Sequence, residues 1–353
     1  MTEGATRGGA TAIDISVVIP NLDGAHWLES CLASIDSDAG ASIEMIVADD
    51  GSTDASAATC ERFDVRFVLA PRARTGFAAT ANRGIRVASG AWILLLNNDT
   101  ELAPGTVDAL LETADRHPNV AMIAPFVLSL RDRATVDSAG MLIFPDGTAR
   151  PRWHGTPASS VLLRGEEEVL VPSGAAAMIR ADWLDRVGLL DEGMTSYLED
   201  IDLGLRIRRA GGGAVFSPDA VVYHHFSGTT GALSPEKARL IERNHMTVAA
   251  RHLPIAWLIG LPFWTFARWV TLVRTVLASR AAGGSGGSGG ASVFETGRSV
   301  LGGFAAGVLR LPAALRQRRS LQQHAAVGER EWQALLRCHR ARLADFRRFG
   351  AEA

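Results

Sequence analysis

Apolar positions in the first hundred residues fall into short β-branched runs separated by stretches of helical period. Ile15 to Pro20 (I-S-V-V-I-P) is the first run, and an amphipathic stretch follows from Ala25 to Ile35. Glu44 to Ala48 is the second. Val65 to Leu69 is the third and precedes a loop and a helical segment from Ala78 to Ala88; the fourth, Trp92 to Leu96, ends in Asn-Asn-Asp. Short apolar strands alternating with helical segments predict βαβ units, hence an α/β fold with a mostly parallel sheet flanked by helices. Polar residues collect at the carboxyl ends of these strands. In open α/β sheets ligands bind at that edge, so the polar clusters should converge on one crevice.

A second block, Val169 to Tyr223, holds V-P-S-G-A-A-A-M-I-R, a helical stretch after Ala181 and the run Y-L-E-D-I-D-L-G-L-R-I-R-R-A-G, and it leads into V-V-Y-H-H-F-S-G-T-T-G. The acceptor side of the crevice is placed here. Arg131 to Glu168, between the blocks, is rich in Gly, Pro and Arg, and its periodicity assigns no structure.

The pattern changes after Arg251. Residues 14–250 read as one domain, 251–282 as an apolar Trp-rich helical segment, 283–290 (G-G-S-G-G-S-G-G) as a flexible linker, and 291–353 as a second apolar stretch with an Arg-rich helical tail. Leu253 to Ala267 gives fifteen uncharged residues, short of the ~20 that span hydrocarbon. Trp257, Trp264 and Trp269 favour a helix lying in a membrane surface; a soluble helical hairpin packed on the core is the alternative.

Composition refines this picture. A chain of 353 residues, 47% apolar and with a formal net charge of −2, has room for a large core and no global attraction to nucleic acid. Its charge is uneven. From Arg310 onward ten Arg face four acids, so the tail carries about +6 and the remainder about −8, which predicts contact with an anionic membrane surface. Cys31, Cys60 and Cys338 form neither a disulfide framework nor a zinc spacing, and Met1 to Ala12 has no apolar signal core. Both features predict a place on the cytoplasmic face of the membrane.

Four constellations carry chemistry. In I-V-A-D-D-G-S-T-D a strand runs into Asp49, whose carboxylate can accept from the ring N–H of uracil or thymine; the same residues also make a good turn and helix cap. In R-A-R-T-G-F-A-A-T-A-N-R-G-I, Arg72 or Arg74 can meet base or diphosphate, Gly76 permits close backbone approach, and Asn82 should face the cleft from the following helix. In L-L-L-N-N-D-T, Asp99 is the carboxylate for a divalent cation, Mn²⁺ or Mg²⁺, that neutralises a leaving diphosphate. Asn97 stands where a D-x-D pattern has its first Asp, and Asn98 follows it. His224 or His225 can complete such a site; neighbouring strand residues face opposite ways, so one of them reaches it, with His224 preferred. The fourth constellation is Glu199, Asp200 and Asp202. One carboxylate of Glu199 and Asp200 suits a base that deprotonates an acceptor hydroxyl, while Glu199 can alternatively cap a helix and Asp202 can pair with Arg206.

With these residues in place, the chain resembles the family 2 inverting glycosyltransferases of the GT-A fold, a Rossmann-like mixed sheet flanked by helices, and especially the bacterial rhamnosyltransferase-like members that build cell-surface polysaccharides. The resemblance covers about residues 14 to 250 and rests on V-V-I-P-N, A-D-D-G-S-T-D, L-N-N-D-T and Y-L-E-D-I-D-L-G-L-R in that order. It implies Asp49 at the nucleobase, Pro20 and Asn21 in the nucleotide pocket, Gly76 and Asn82 in the donor site, Asp99 at the metal, His224 near the diphosphate, Asp200 as base and Gly174 on the acceptor side. The implied partners are a dTDP- or UDP-linked sugar and a glycan or polyprenyl-linked acceptor. A nucleotide-binding oxidoreductase is disfavoured because no G-x-G-x-x-G follows the first strand. A sugar-nucleotide pyrophosphorylase would carry a Gly-rich basic loop where this chain has N-L-D-G-A-H. A non-catalytic scaffold is opposed by the intact Asp99 and Asp200.

Overall fold

The computed structural model describes residues 13–36, 42–70, 74–162, 164–225, 234–281 and 293–345. Alternation along β1 (Ile15–Asn21) sets the architecture. Val18 packs with Ile46 and Leu95 on one face of the sheet, while Val17 and Ile19 pack with Leu28 and Leu32 on the other. The whole strand is therefore buried, because helices cover both faces. Helix α1 (Ala25–Asp36), β2 (Ile43–Asp49), α2 (Ser56–Cys60), β3 (Val65–Leu69), α3 (Phe77–Val87) and β4 (Trp92–Leu96) complete the first half. Strands β2 and β4 flank β1, with β3 outside β2, all parallel.

The chain continues through β5 (Thr100–Leu102), α4 (Thr106–Arg116) and β6 (Val120–Ser129). The poorly periodic region holds β7 (Val136–Ser138), β8 (Met141–Ile143), β9 (Ala149–Pro151), α5 (Ser159–Leu162) and β10 (Glu167–Glu168). Strands of two or three residues are too short to show alternation. Then come β11 (Ala176–Arg180), α6 (Ala181–Val187), α7 (Glu199–Arg209) and β12 (Gly213–His224). The large sheet runs β10-β12-β6-β11-β4-β1-β2-β3. Because β11 lies antiparallel between β4 and β6, the sheet is mixed.

This topology gathers distant segments at one edge. Asn21 pairs with Asp49, Ala176 with Leu96, and His224 with Thr100. The antiparallel β11 thus delivers its amino end, with Gly174, to the edge where β1, β2, β4 and β12 deliver their carboxyl ends. In β12 the register shifts between Ser217 and Val221, where Pro218 lacks the N–H a regular ladder needs.

Four helices follow: α8 (Pro235–His252), α9 (Ile255–Ala281), α10 (Val293–Gln323) and α11 (Glu329–Cys338). The segment 283–290 lies outside the described residues. Part of the Arg-rich tail docks on the domain: Arg318 is buried and donates to the carbonyls of Ala250 and Leu253 at the end of α8, Trp332 is buried and donates to the His252 carbonyl, and residues 339–341 bond to Ile143, while Arg316, Arg319, Arg330 and Arg337 stay exposed. Free α8 carbonyls need donors, and a guanidinium at a helix carboxyl end satisfies them with favourable charge. The tryptophans of α9 also turn inward. Trp264 stands edge-on to Phe144 and Trp269 donates to Glu242, since an indole N–H on a packed face finds an acceptor. The outward face of α9 carries Ile255, Ile259, Phe263, Phe266, Val270 and Val273 instead.

Candidate active site

At the carboxyl ends of β1 and β2, Asp49 accepts from the backbone N–H groups of Gly51 (2.9 Å) and Ser52 (2.7 Å), from the Ser52 hydroxyl (2.6 Å) and from the Asn21 amide (2.9 Å). Asn21 in turn accepts from Asn98 at 2.7 Å. A carboxylate has about four acceptor positions, and all four are used. Asp49 is therefore the keystone of a turn, and the direct bond to a nucleobase ring N–H expected of it would require Asn21 or Ser52 to rotate away. Pro20, buried beside Ala48, contributes the strand backbone beneath this network. The next residue, Asp50, accepts from the N–H groups of Thr75 (2.9 Å) and Gly76 (2.9 Å) and pairs with Arg83 at 3.1 Å. Burial opposes its charge, but these donors hold its carboxyl below the usual range. Asp50 and Arg83 thus anchor the loop entering α3, a role the sequence reading did not assign. Arg72 lies outside the described residues.

The Gly76 backbone has φ +94°, and a Cβ there would stand 3.1 Å from Thr195. This loop is thereby butted against the segment that leads to Glu199 and Asp200; the Ala78 N–H donates to the Thr195 carbonyl at 2.8 Å. Asn82 does not reach the cleft. Its amide donates to the Leu190 carbonyl (2.9 Å) and to Glu192 (3.0 Å), and its oxygen accepts from the Leu190 N–H (3.1 Å). Its polar atoms clamp residues 190–192, so direct donor contact is corrected to support of this loop.

The segment Thr195–Leu198 is strained: Thr195, Tyr197 and Leu198 have φ of +59°, +68° and +72°. Non-glycine residues rarely adopt that region, and such strain persists where surrounding bonds over-determine it. Asn244 supplies them, donating to the carbonyls of Met194, Ser196 and Tyr197 at 2.9, 3.0 and 2.7 Å, and Arg243 donates to the Met194 carbonyl and the Thr195 hydroxyl.

The strained segment ends at α7, whose first residues are Glu199 and Asp200. Asp200 is half-buried and accepts from the N–H groups of Gly174 and Ile201, each at 2.8 Å. A Cβ on Gly174 would lie 2.8 Å from the same Asp200 oxygen, so only glycine lets that backbone N–H come so close. Burial raises the Asp200 carboxyl above the usual range while the two N–H donors restrain it. Glu199 is buried, with one carboxyl oxygen lacking a hydrogen-bond partner. Burial and the neighbouring Asp200 charge push it well above the ordinary range. Leu198, not Glu199, holds the N-cap position of α7, so the capping alternative is set aside. Asp202 pairs with Arg206 (2.9 Å), Arg251 (2.9 Å) and His252 (2.8 Å), a buried junction that fixes α7 to α8.

At the carboxyl end of β12, His224 Nε2 stands 3.4 Å from Asp99 Oδ1 while Nδ1 donates to Asp137 at 2.5 Å. Asp137 also faces His154 at 3.2 Å. Burial opposes charge on His224, yet Asp137 and Asp99 hold its pKa up to about 10. His225 turns the other way, onto Trp27 at a ring distance of 4.2 Å. Asn97 is half-buried beside Asp99. Asp137 and His154 were missed by sequence reading because they stand in the aperiodic region, 87 and 70 positions from His224, with no motif around them.

This arrangement fits a divalent cation. A histidine oriented by a carboxylate on one ring nitrogen and facing a second carboxylate with the other is a common metal-ligand geometry. Among the described residues no group of three or more His, Cys, Asp or Glu could hold an ion, so Asp99 and His224 would supply only part of a shell, which diphosphate oxygens and water would have to complete.

Comparison with known proteins agrees with this geometry. Residues 16–188 match the model of the family described as "Glycosyl transferase family 2". N-acetylglucosaminyl-diphospho-decaprenol L-rhamnosyltransferase of Mycobacterium tuberculosis is 30% identical over 240 residues, covering 61% of this chain and 76% of that protein. Mannosyltransferase PcManGT from Pyrobaculum calidifontis, solved in complex with GDP-Man and Mn²⁺, superposes with a TM-score of 0.50 at 18% identity over 89% of this chain and 85% of that one. GalNAc-T7, solved with UDP, GalNAc and Mn²⁺, superposes with a TM-score of 0.53 at 15% identity over 69% of this chain and 48% of that one. These two share the GT-A-type α/β fold. Ordered motifs, sheet topology and relatives together make this chain a rhamnosyltransferase-like member of glycosyl transferase family 2.

Proposed function

We propose that the enzyme transfers a sugar of the rhamnose class from a dTDP- or UDP-linked donor, with inversion, to a hydroxyl of a lipid-linked N-acetylglucosamine acceptor in cell-surface polysaccharide synthesis. The observation that carries this reading is the meeting of Asp200 and Asp99 with His224 at one sheet edge. The Asn21–Asp49–Asn98 network receives the nucleotide. Asp99 and His224, with Asn97, hold a divalent cation, Mn²⁺ or Mg²⁺, that neutralises the leaving diphosphate. Asp200, held in place by the Gly174 and Ile201 N–H groups, takes the proton of the attacking hydroxyl.

The membrane part of the reading rests on α9. Among the described residues Ile255–Arg274 is long and apolar enough to cross a bilayer. Within that stretch Arg268 is buried and bonded to Asp146 (2.6 Å) and Glu242 (2.6 Å) of the globular part. A spanning helix would carry those carboxylates into hydrocarbon at high cost. Lying flat, the same helix keeps Arg268 paired and presents its outer apolar stripe to lipid.

The test is a transfer assay with dTDP-rhamnose and UDP-sugars, Mn²⁺ and an N-acetylglucosaminyl-diphospho-prenol, comparing the full chain with Asp200→Asn and reading the anomeric configuration by NMR. Equal product from both proteins removes Asp200 as base, and a retained configuration removes the inverting mechanism.

A further inference from the structure

Thr195 is the middle residue of a turn in which the Ser196 N–H donates to the Met194 carbonyl at 2.7 Å, and its backbone has φ +59° and ψ −69°. That is the γ-turn of the rare, strained hand, and a β-branched residue fits it poorly. Tyr197 and Leu198 follow with φ of +68° and +72°. Leu198 immediately precedes α7, so these positive-φ positions set the direction in which the helix starts and the place of its second residue, Asp200.

Strain of this kind persists only under constraint from outside, and the carbonyls of the segment show its source. Arg310 of α10 donates to Gly193 (2.7 Å), Arg243 to Met194 (2.5 Å), the Ala78 N–H to Thr195 (2.8 Å), and the Asn244 amide to Met194, Ser196 and Tyr197. Each carbonyl from Gly193 to Tyr197 is thus held by a group from another element. Asn244 is fully buried; its NH₂ shares two hydrogens among these three carbonyls, and its oxygen accepts from Arg243 at 3.0 Å. The polar capacity of its side chain is spent on the segment and on its neighbour in the clamp. A helix interior favours Ala or Leu over Asn, so the amide contributes to α8 through what it holds. Helix α10 backs the pair closely, since a Cβ on Gly307 would stand 2.9 Å from the Arg243 carbonyl.

We propose that Asn244 and Arg243 are positioning residues for sugar transfer: they hold the Met194–Leu198 segment in its strained form and through it set Asp200 against the Gly174 N–H. Both act through that backbone. A shift of the base by a fraction of an ångström is enough to slow proton removal. The consequence for rate rests on the glycosyltransferase reading above, whereas hydrogen exchange reads the clamp without it.

Amide hydrogen exchange of the full chain is followed by mass spectrometry, alongside steady-state transfer from dTDP-rhamnose to an N-acetylglucosaminyl-diphospho-prenol and dTDP binding with Mn²⁺. Asn244→Ala should speed exchange across residues 193–202 by about tenfold or more and leave the β1 and β2 peptides unchanged. Its kcat should fall by about 10- to 100-fold, with donor KM and dTDP affinity within about twofold. Adding Thr195→Gly, which takes the Cβ from the strained position, should return kcat by about threefold or more. Unchanged exchange at 193–202 overturns the inference, as does a kcat within about twofold of the parent, a loss shared equally by dTDP binding, or a glycine addition that restores the melting temperature and not kcat. If Asn244→Ala does not fold, Arg243→Lys, which keeps the charge but gives up the guanidinium fork, decides by the same readouts at about three- to tenfold. If parent and variants all fail to transfer while exchange responds as described, the clamp stands and the donor and acceptor reading falls.

Discussion

Gly174→Ala separates positioning of the base from folding. A Cβ at this position would lie 2.8 Å from Asp200 Oδ2 and 3.2 Å from its Cγ. Ordinary contact needs roughly 3.4 Å or more, so the carboxylate must retreat by several tenths of an ångström and its bond from the Gly174 N–H must lengthen from 2.8 Å. The displaced atom ends a short side chain at a half-buried site, so the fold yields there easily. Replacing Gly by Ala also narrows the unfolded ensemble, worth about 0.4–1 kcal/mol where the backbone permits it, and the net change in stability should be within about 1 kcal/mol. Catalysis is less forgiving. A misplacement of about 1 Å can cost about 10²-fold, and a general base contributes about 10²–10⁴-fold, so kcat should fall by roughly 10- to 100-fold with the KM for the donor nearly unchanged. The assay is steady-state transfer with saturating donor, alongside urea unfolding and Asp200→Asn as the lower bound. A Gly174→Ala enzyme with kcat within about twofold of the parent would refute the assigned role of this contact.

Four further outcomes follow from the same structure. Arg268→Met should cost about 3–5 kcal/mol by leaving Asp146 and Glu242 buried without their guanidinium; an unchanged urea midpoint would show that α9 is not held by this junction. The acid limb of kcat/KM should lie above the ordinary Asp value of about 3.9, because Asp200 must lose its proton to act and burial raises its pKa. Glu199 has its folded pKa above its unfolded one, so stability should fall as pH rises between the two values, and Glu199→Gln should lessen that fall while keeping the acid limb; an unchanged pH–stability profile in Glu199→Gln would contradict the assignment. Asp137→Asn should weaken Mn²⁺ binding by about 10- to 100-fold, since Asp137 orients the imidazole of His224; an unchanged Mn²⁺ titration by tryptophan fluorescence would show that this partner does not tune the site.

The sequence by itself determined the alternation of strands and helices up to Leu96 and the clustering of polar residues at strand ends. Those signals are local, because β-branched runs and helical periods are written within a few residues of one another. Motif order also pointed to Asp99, Asp200, Gly174 and His224, which the fold brings to one edge. What was not local was not legible. Asp49 and Asn82 carry donor-site residue types, yet their polar atoms are spent on Ser52, Asn21 and Leu190, partners that only folding supplies. Asp137 gains meaning from a histidine 87 positions away, and Arg243 and Asn244 from a loop nearly fifty positions earlier. Composition marked the tail as basic but could not say that Arg318 would cap α8 or that Arg268 would be drawn between Asp146 and Glu242. A charge count sums what a segment carries; only packing decides which charges are neutralised inside the protein and which are left to meet a ligand.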